Sequence, residues 1–190
     1  RVVLTVAAML VVGAVGWLLL VVLPRSNRTA NAGLATPGSL VLQPGARDEA
    51  GRRIRARLFY VGQDGMSLVG AEREVLYGDS TEEQARRILE AQLAPVVEPY
   101  VSPVPAGTRL RALFIKGDEA FVDLTGAVSS AHPGGTTAEL LTVYAIVDAL
   151  TVNLPAISSV QLLVDGQVVD SLAGHVDLRR ALGTNTSFVH

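Results

Sequence analysis

Val2 to Leu23 is a run of 22 residues without one charged side chain, and Thr5 is its most polar member. At 1.5 Å of rise per residue, about 20 such residues cross the hydrocarbon layer of a bilayer. The run predicts a single transmembrane anchor over residues 1–23. A cleaved signal peptide fits less well, because its apolar region spans about 7–15 residues and ends at a small-residue cleavage site. Arg1 precedes the run, and Arg25 and Arg28 follow it. That count leans toward a cytoplasmic domain under the positive-inside rule. Because the chain starts with Arg rather than Met, the count does not fix the orientation.

The apolar run accounts for an unusual composition. Hydrophobic residues make up 49% of the 190-residue chain and charged residues 18%, and the mean hydropathy is +0.36. Cysteine is absent, which excludes disulfides, thiolate metal sites, cysteine nucleophiles and lipid-modified cysteine anchors. Residues 24–52 are interrupted by Pro24, Gly33, Pro37, Gly38, Pro44, Gly45 and Gly51 and read as a flexible linker. Within it, Leu40, Val41 and Leu42 are apolar enough for a short strand or a docking contact. Residues 1–57 carry 8 Arg and 2 acids, a net +6, whereas residues 58–190 carry 8 basic and 16 acidic residues, a net −8. An acidic domain is a poor match for phosphate backbones, so no nucleic acid is expected as a partner.

The domain over 53–182 alternates strand and helix signals, with 183–190 left as a C-terminal tail. Arg53, Arg55 and Arg57 alternate with Ile54, Ala56 and Leu58 and lead into Phe59–Val61, the pattern of a strand with one polar face. Glu72–Tyr77 reads as the second strand. Ser80 and Glu83 form a capping box that opens a helix with Ala85, Ile88, Leu89 and Leu93 on one face. Leu110–Ile115 and Ala120–Leu124 flank a Lys-Gly-Asp-Glu turn and read as a hairpin. Thr136 and Glu139 read as a second capping box, opening a helix from Ala138 to about Asn153 that is apolar over most of its circumference. Val160–Val164, Asp165-Gly166 and Gln167–Asp170 give a second hairpin. The order β-β-α-β-β-α-β-β predicts an α+β fold with two helices packed on a mainly antiparallel sheet.

Several phrases in this order resemble the GerMN domain of sporulation and spore germination proteins. They are Arg57-Leu58-Phe59-Tyr60-Val61, Ala120-Phe121-Val122-Asp123-Leu124-Thr125, Thr142 to Thr151, Val160 to Gln167 and Gly174-His175-Val176-Asp177. The resemblance implies a fold similar to ring-building motifs. It also implies a non-enzymatic domain on the extracytoplasmic side of the bacterial cytoplasmic membrane, acting by protein–protein interaction as an envelope scaffold or assembly factor. The chain carries one copy of the domain where the best-known member carries two. Its apolar run takes the place of the lipidated cysteine found in many relatives. The partners implied are the membrane and envelope proteins or further copies of the chain. A ligand-binding envelope domain, for a glycan or small molecule, is the alternative, followed by a membrane-tethered hydrolase.

No catalytic residue, cofactor or metal is expected. His132, His175 and His190 lack metal-ligand spacing, and with Asp123 and Asp177 they form no nucleophile–base set. His132 reads as plain loop surface, and His175 as part of a packed or hydrogen-bonded turn. Gly134-Gly135-Thr136-Thr137 lacks the lysine and spacing of a phosphate loop. The candidate interaction surface is Arg53, Arg55, Arg57, Arg109 and Arg111, with Tyr100. Each arginine set projects to one side of a strand, suited to anionic headgroups or an acidic partner. Tyr100 lies in the proline-rich loop 95–108 with Val96, Val97, Val101 and Val104, a candidate docking loop.

Sidedness is directly testable. A cysteine introduced at Gln63 in this cysteine-free chain should react with a membrane-impermeant maleimide in intact cells; labelling only after lysis would place the domain in the cytosol.

Overall fold

The computed structural model describes residues 51–190. The predicted anchor 1–23, the predicted linker up to residue 50 and its Leu40–Leu42 segment lie outside the described residues. Among the described residues no helix is long and apolar enough to cross a membrane.

Two strands open the domain, β1 (Arg53–Val61) and β2 (Leu68–Leu76), paired antiparallel from Arg53↔Leu76 to Val61↔Leu68. The second strand therefore starts earlier than residue 72, its predicted beginning. Val69, Gly70 and Ala71 extend the ladder although their short or single apolar side chains gave little alternation. Helix α1 (Thr81–Leu93) starts as its sequence predicts, with the Ser80 hydroxyl accepting from the Glu83 N–H at 3.1 Å. The Glu83 carboxylate reaches back to the Asp79 N–H, at 3.1 Å. Acidic Glu82 and Glu83 in the first turn also suit the helix dipole.

The second layer is built from β3 (Leu110–Lys116), β4 (Glu119–Leu124), a four-residue helix α2 (Ala127–Ser130), α3 (Thr136–Thr151), β5 (Ser159–Val164), β6 (Gln167–Val168) and β7 (Leu182–Gly183). Its order is β3-β4-β5-β6, with β7 also pairing β5. The predicted hairpins form, and Asp165 (φ 50°) and Gly166 (φ 80°) both take the left-handed conformation that a two-residue turn between twisted strands requires. The β6 arm is only two residues long.

Four of the five strand pairings are antiparallel, in keeping with the mainly antiparallel expectation, and the sheet departs from that expectation at two places. β4 and β5 run parallel, from Glu119↔Ser159 to Leu124↔Val164, because α3 crosses over between them. β1 and β2 form a separate two-stranded sheet, so the molecule is α+β with a mixed sheet plus a ribbon.

Helix α3 is the central element. It packs against α1, β1, β5 and β7, and ten of its residues, from Glu139 to Leu150, are buried. The five-stranded sheet lays Leu113, Ala120, Val122, Leu124, Val160 and Leu162 into the same core as Ala85, Ile88 and Leu89 of α1.

Side-chain amides attach the ribbon to this core. The edge of β1 facing away from β2 meets Gln92, whose Oε1 accepts from the Phe59 N–H at 2.9 Å and whose Nε2 donates to the Phe59 carbonyl at 2.7 Å. Asn153 repeats the arrangement at Arg57, with both bonds at 2.8 Å. At the far end the Val61 N–H donates to the Val101 carbonyl at 2.9 Å. Each side chain thus stands in for one residue of a neighbouring strand, and Gln92 does so fully buried.

The stretch 183–190, read from the sequence as a tail, is folded in. Leu182 and Gly183 pair with β5. A 3-10 turn, Thr186–Phe188, follows, and Val189 bridges Leu68 of β2 in parallel.

Gln92→Ala should destabilise the domain by about 3 kcal/mol, because it strands a buried N–H and a buried C=O together. Asn153→Ala, at a more exposed edge, should cost about 1 kcal/mol. Urea unfolding of both variants measures the difference.

Candidate functional site: buried anchors and an exposed interaction surface

The Thr136–Glu139 capping box does not form. Helix α3 begins from Gly135, without a side-chain cap, and Gly134 and Gly135 are both left-handed at φ 84° and 86°. That backbone turns the chain sharply enough to start the helix at Thr136. Glu139 is thereby turned inward, and its side chain is fully buried.

There the Glu139 carboxylate holds the segment 172–176. Oε1 accepts from the Leu172 N–H at 2.8 Å, and Oε2 from the His175 N–H at 2.9 Å. His175 Nδ1 lies 3.2 Å from Oε2. Burial opposes ionisation, but the amides of Ala173, His175, Leu172 and Val176 outweigh it and hold the carboxyl below its ordinary value of 4.5. A charge buried this way is stabilised by oriented backbone dipoles. His175 is thus a hydrogen-bonded turn residue, as its sequence context suggested.

One turn further along α3, Thr142 donates to the Pro103 carbonyl, at 2.6 Å. His132 Nε2 lies 3.1 Å from the Thr142 hydroxyl, and His132 Nδ1 accepts from the Gly134 N–H at 3.0 Å. His132 is therefore half-buried and bonded on both ring nitrogens, not plain surface; only the fold brings Thr142 to it. Asp148, also fully buried, accepts from the Asn185 N–H at 2.9 Å through Oδ1, while Oδ2 has no partner. Burial pushes this carboxyl up from its ordinary 3.8, against the smaller opposing effect of that one bond.

The three histidines lie at separate places, against Thr142, Glu139 and Leu68. Asp177 is bound to Arg179, at 2.7 and 2.9 Å, which holds its carboxyl well below the usual carboxylate range. Among the described residues no group of three or more His, Asp or Glu side chains is placed to share a metal ion.

The five candidate arginines fall into two sets on different sheets. Arg53, Arg55 and Arg57 form one exposed row on β1, with Glu74 and Glu72 opposite Arg55 and Arg57 in register. Arg55 and Glu72 are 3.7 Å apart and both highly exposed. The face is a ladder of alternating charge, and such exposed pairs contribute little stability. Arg111, on β3, binds the buried Asp123 at 3.0 Å, and the same carboxylate accepts from the Gly166 N–H at 2.8 Å. Arg111 thus pins the β5–β6 turn against β3. Arg109 is exposed, and its N–H donates to Thr125 Oγ1.

Tyr100 belongs to a different cluster. Its ring centroid lies 4.7 Å from that of Tyr60, and the Arg73 guanidinium sits 4.6 Å above Tyr100 and 5.6 Å from Tyr60. This stack holds loop 95–108 on the ribbon and leaves Val97 81% exposed and Val101 60% exposed. A groove of about 400 Å³ runs beside the loop, lined by Leu93, Pro95, Pro103, Pro105 and Pro133 among others.

These features define a single α+β domain in which buried polar groups on one helix tie distant loops together, beneath a mixed-charge and locally apolar surface. A family model described as "Germane: Sporulation and spore germination" matches residues 57–170, more than half of the chain. The chain belongs to that family and carries a GerMN domain.

Among solved structures, the tandem GerMN domains of the sporulation protein GerM from Bacillus subtilis match at 16% identity and a TM-score of 0.50. That match covers 72% of this chain and 45% of the tandem, and it shows that the fold is shared. The first GerMN domain of the same protein matches at 19% identity and a TM-score of 0.49, over 71% of this chain and 95% of that one. A crystal structure described as "Putative Lipoprotein from Clostridium perfringens" matches at 27% identity and a TM-score of 0.49, over 70% and 89%. No curated protein sequence matches the chain.

The two buried carboxylates should give opposite pH slopes. Glu139 has a lowered pKa, so its contribution is complete above 4.5 and is lost as the pH falls through its native value. Asp148 has a raised pKa, so stability falls as the pH rises from 3.8 through its native value. Glu139→Gln should lower stability at pH 7 by about 2–3 kcal/mol. Asp148→Asn should raise it by about 1 kcal/mol at pH 8, removing a buried charge with a single partner. Unfolding midpoints from pH 3 to 9 separate the two.

Proposed function

We propose that this chain is a membrane-anchored, extracytoplasmic GerMN-domain protein that works by protein–protein contact as an envelope scaffold or assembly factor in sporulation or germination. Membership of a sporulation and germination family over residues 57–170 carries the reading. The residues themselves support it. Glu139, Thr142, Gln92 and Asn153 each spend their hydrogen-bonding capacity on holding backbone. The exposed features are of the kind that protein contacts use: the apolar Val97 and Val101 around Tyr100, and the charge ladder of the ribbon. Anchoring rests on the Val2–Leu23 run. In this reading the domain is not an enzyme and needs no cofactor.

A photo-crosslinking residue in place of Val97, in the full chain in cells, should yield discrete adducts with envelope proteins or with a second copy. A chain that gives none and instead hydrolyses envelope material in purified form would end the reading.

A further inference from the structure

We propose that the free edge of β2, from Gly70 to Glu74, docks an extended basic segment of a partner protein as an added strand. The inference rests on the contact-based function above and names one surface for it.

Hydrogen-bond alternation along the ribbon fixes which backbone groups are available. The N–H and C=O of Arg57 and Phe59 point away from β2, since Asn153 and Gln92 bind them. In an antiparallel ladder their register partners, Glu72 and Gly70, point away from β1 in turn. The same alternation places Leu68 and Glu74 on that edge. The chain already uses the first of these positions: Val189 bridges Leu68, and the His190 N–H donates to the Leu68 carbonyl at 2.9 Å. Beyond it, the backbone of Gly70, Glu72 and Glu74 has no partner on this edge among the described residues. An edge that pairs at one end and stays open along the next turn of ladder is a template for strand addition.

Charge selects the occupant. Glu72 and Glu74 are exposed on one face of β2, so a strand added beside them carries its nearest side chains against two carboxylates. A second copy adding through its own β2 edge would set glutamates against glutamates, a destabilising cross-strand arrangement. A strand with Lys or Arg at alternate positions instead continues the ribbon's order of an Arg row, then a Glu row.

The test uses the 190-residue chain in nanodiscs and two capped heptapeptides, one alternating Lys with Val and the other Glu with Val. The Lys–Val peptide should slow amide hydrogen exchange at Gly70, Glu72 and Glu74 at least tenfold, and raised salt should weaken the effect. In the Glu72→Lys/Glu74→Lys variant, whose changes lie on exposed positions, the preference should pass to the Glu–Val peptide. Absence of protection at these amides, or equal protection by both peptides, overturns the proposal. If envelope proteins still crosslink from position 97 in that case, the contact-based function stands and only this edge is lost.

Discussion

Two side-chain amides make the architecture possible. The ribbon shares no ladder with the five-stranded sheet, so its inner edge would leave the N–H and C=O of Phe59 and Arg57 without partners beside the core. Gln92 and Asn153 fill that place, one from the last turn of α1 and the other from just past the end of α3. A buried amide satisfied on both its donor and its acceptor contributes stability, whereas a half-satisfied one costs it. The ribbon is thereby fixed to both helices at a defined register, which in turn sets where its charged face and its outer edge lie.

The same economy runs along α3. The helix is apolar over most of its circumference, yet its three buried polar residues each capture a distant segment: Glu139 the turn at 172–176, Thr142 the loop at Pro103, and Asp148 the stretch at Asn185. Dispersion and burial hold the helix in the core, but they are non-directional. The polar anchors supply the direction, fixing loops that have little hydrophobic surface of their own. Asp148 is the incompletely paired member, with one carboxylate oxygen buried and unbonded. Loops fixed this way present a surface of constant shape.

Much of the local structure was legible in the chain. The Ser80–Glu83 box, the alternation over Arg53–Leu58 and the Asp165-Gly166 turn each follow from short-range physics, and each is found. The apolar breadth of α3 likewise announced a central helix. The second capping box misled because Thr-x-x-Glu is equally compatible with a glutamate facing solvent and with one facing inward; the left-handed pair Gly134-Gly135 decided between them. The arginines suggested one basic surface because a linear pattern cannot show what lies across a strand. Glu72, Glu74 and Asp123 stand there. His132 gave no signal at all, since Thr142, which also binds the Pro103 carbonyl, meets it only through tertiary packing.

By itself the sequence determined the two long helices, the main strands, the order of these and the family, though not the short α2, β7 or the 3-10 turn, because propensity, periodicity and turn chemistry act within a few residues. It also set the charge balance and the uncharged leader. Only the tertiary structure decided that β4 and β5 run parallel, that the ribbon stands apart, and that a glutamate near a helix start becomes the buried anchor of a turn more than thirty residues away. Those outcomes depend on which backbone groups are left without water when the core closes, and that is a property of the assembled fold rather than of any stretch of chain.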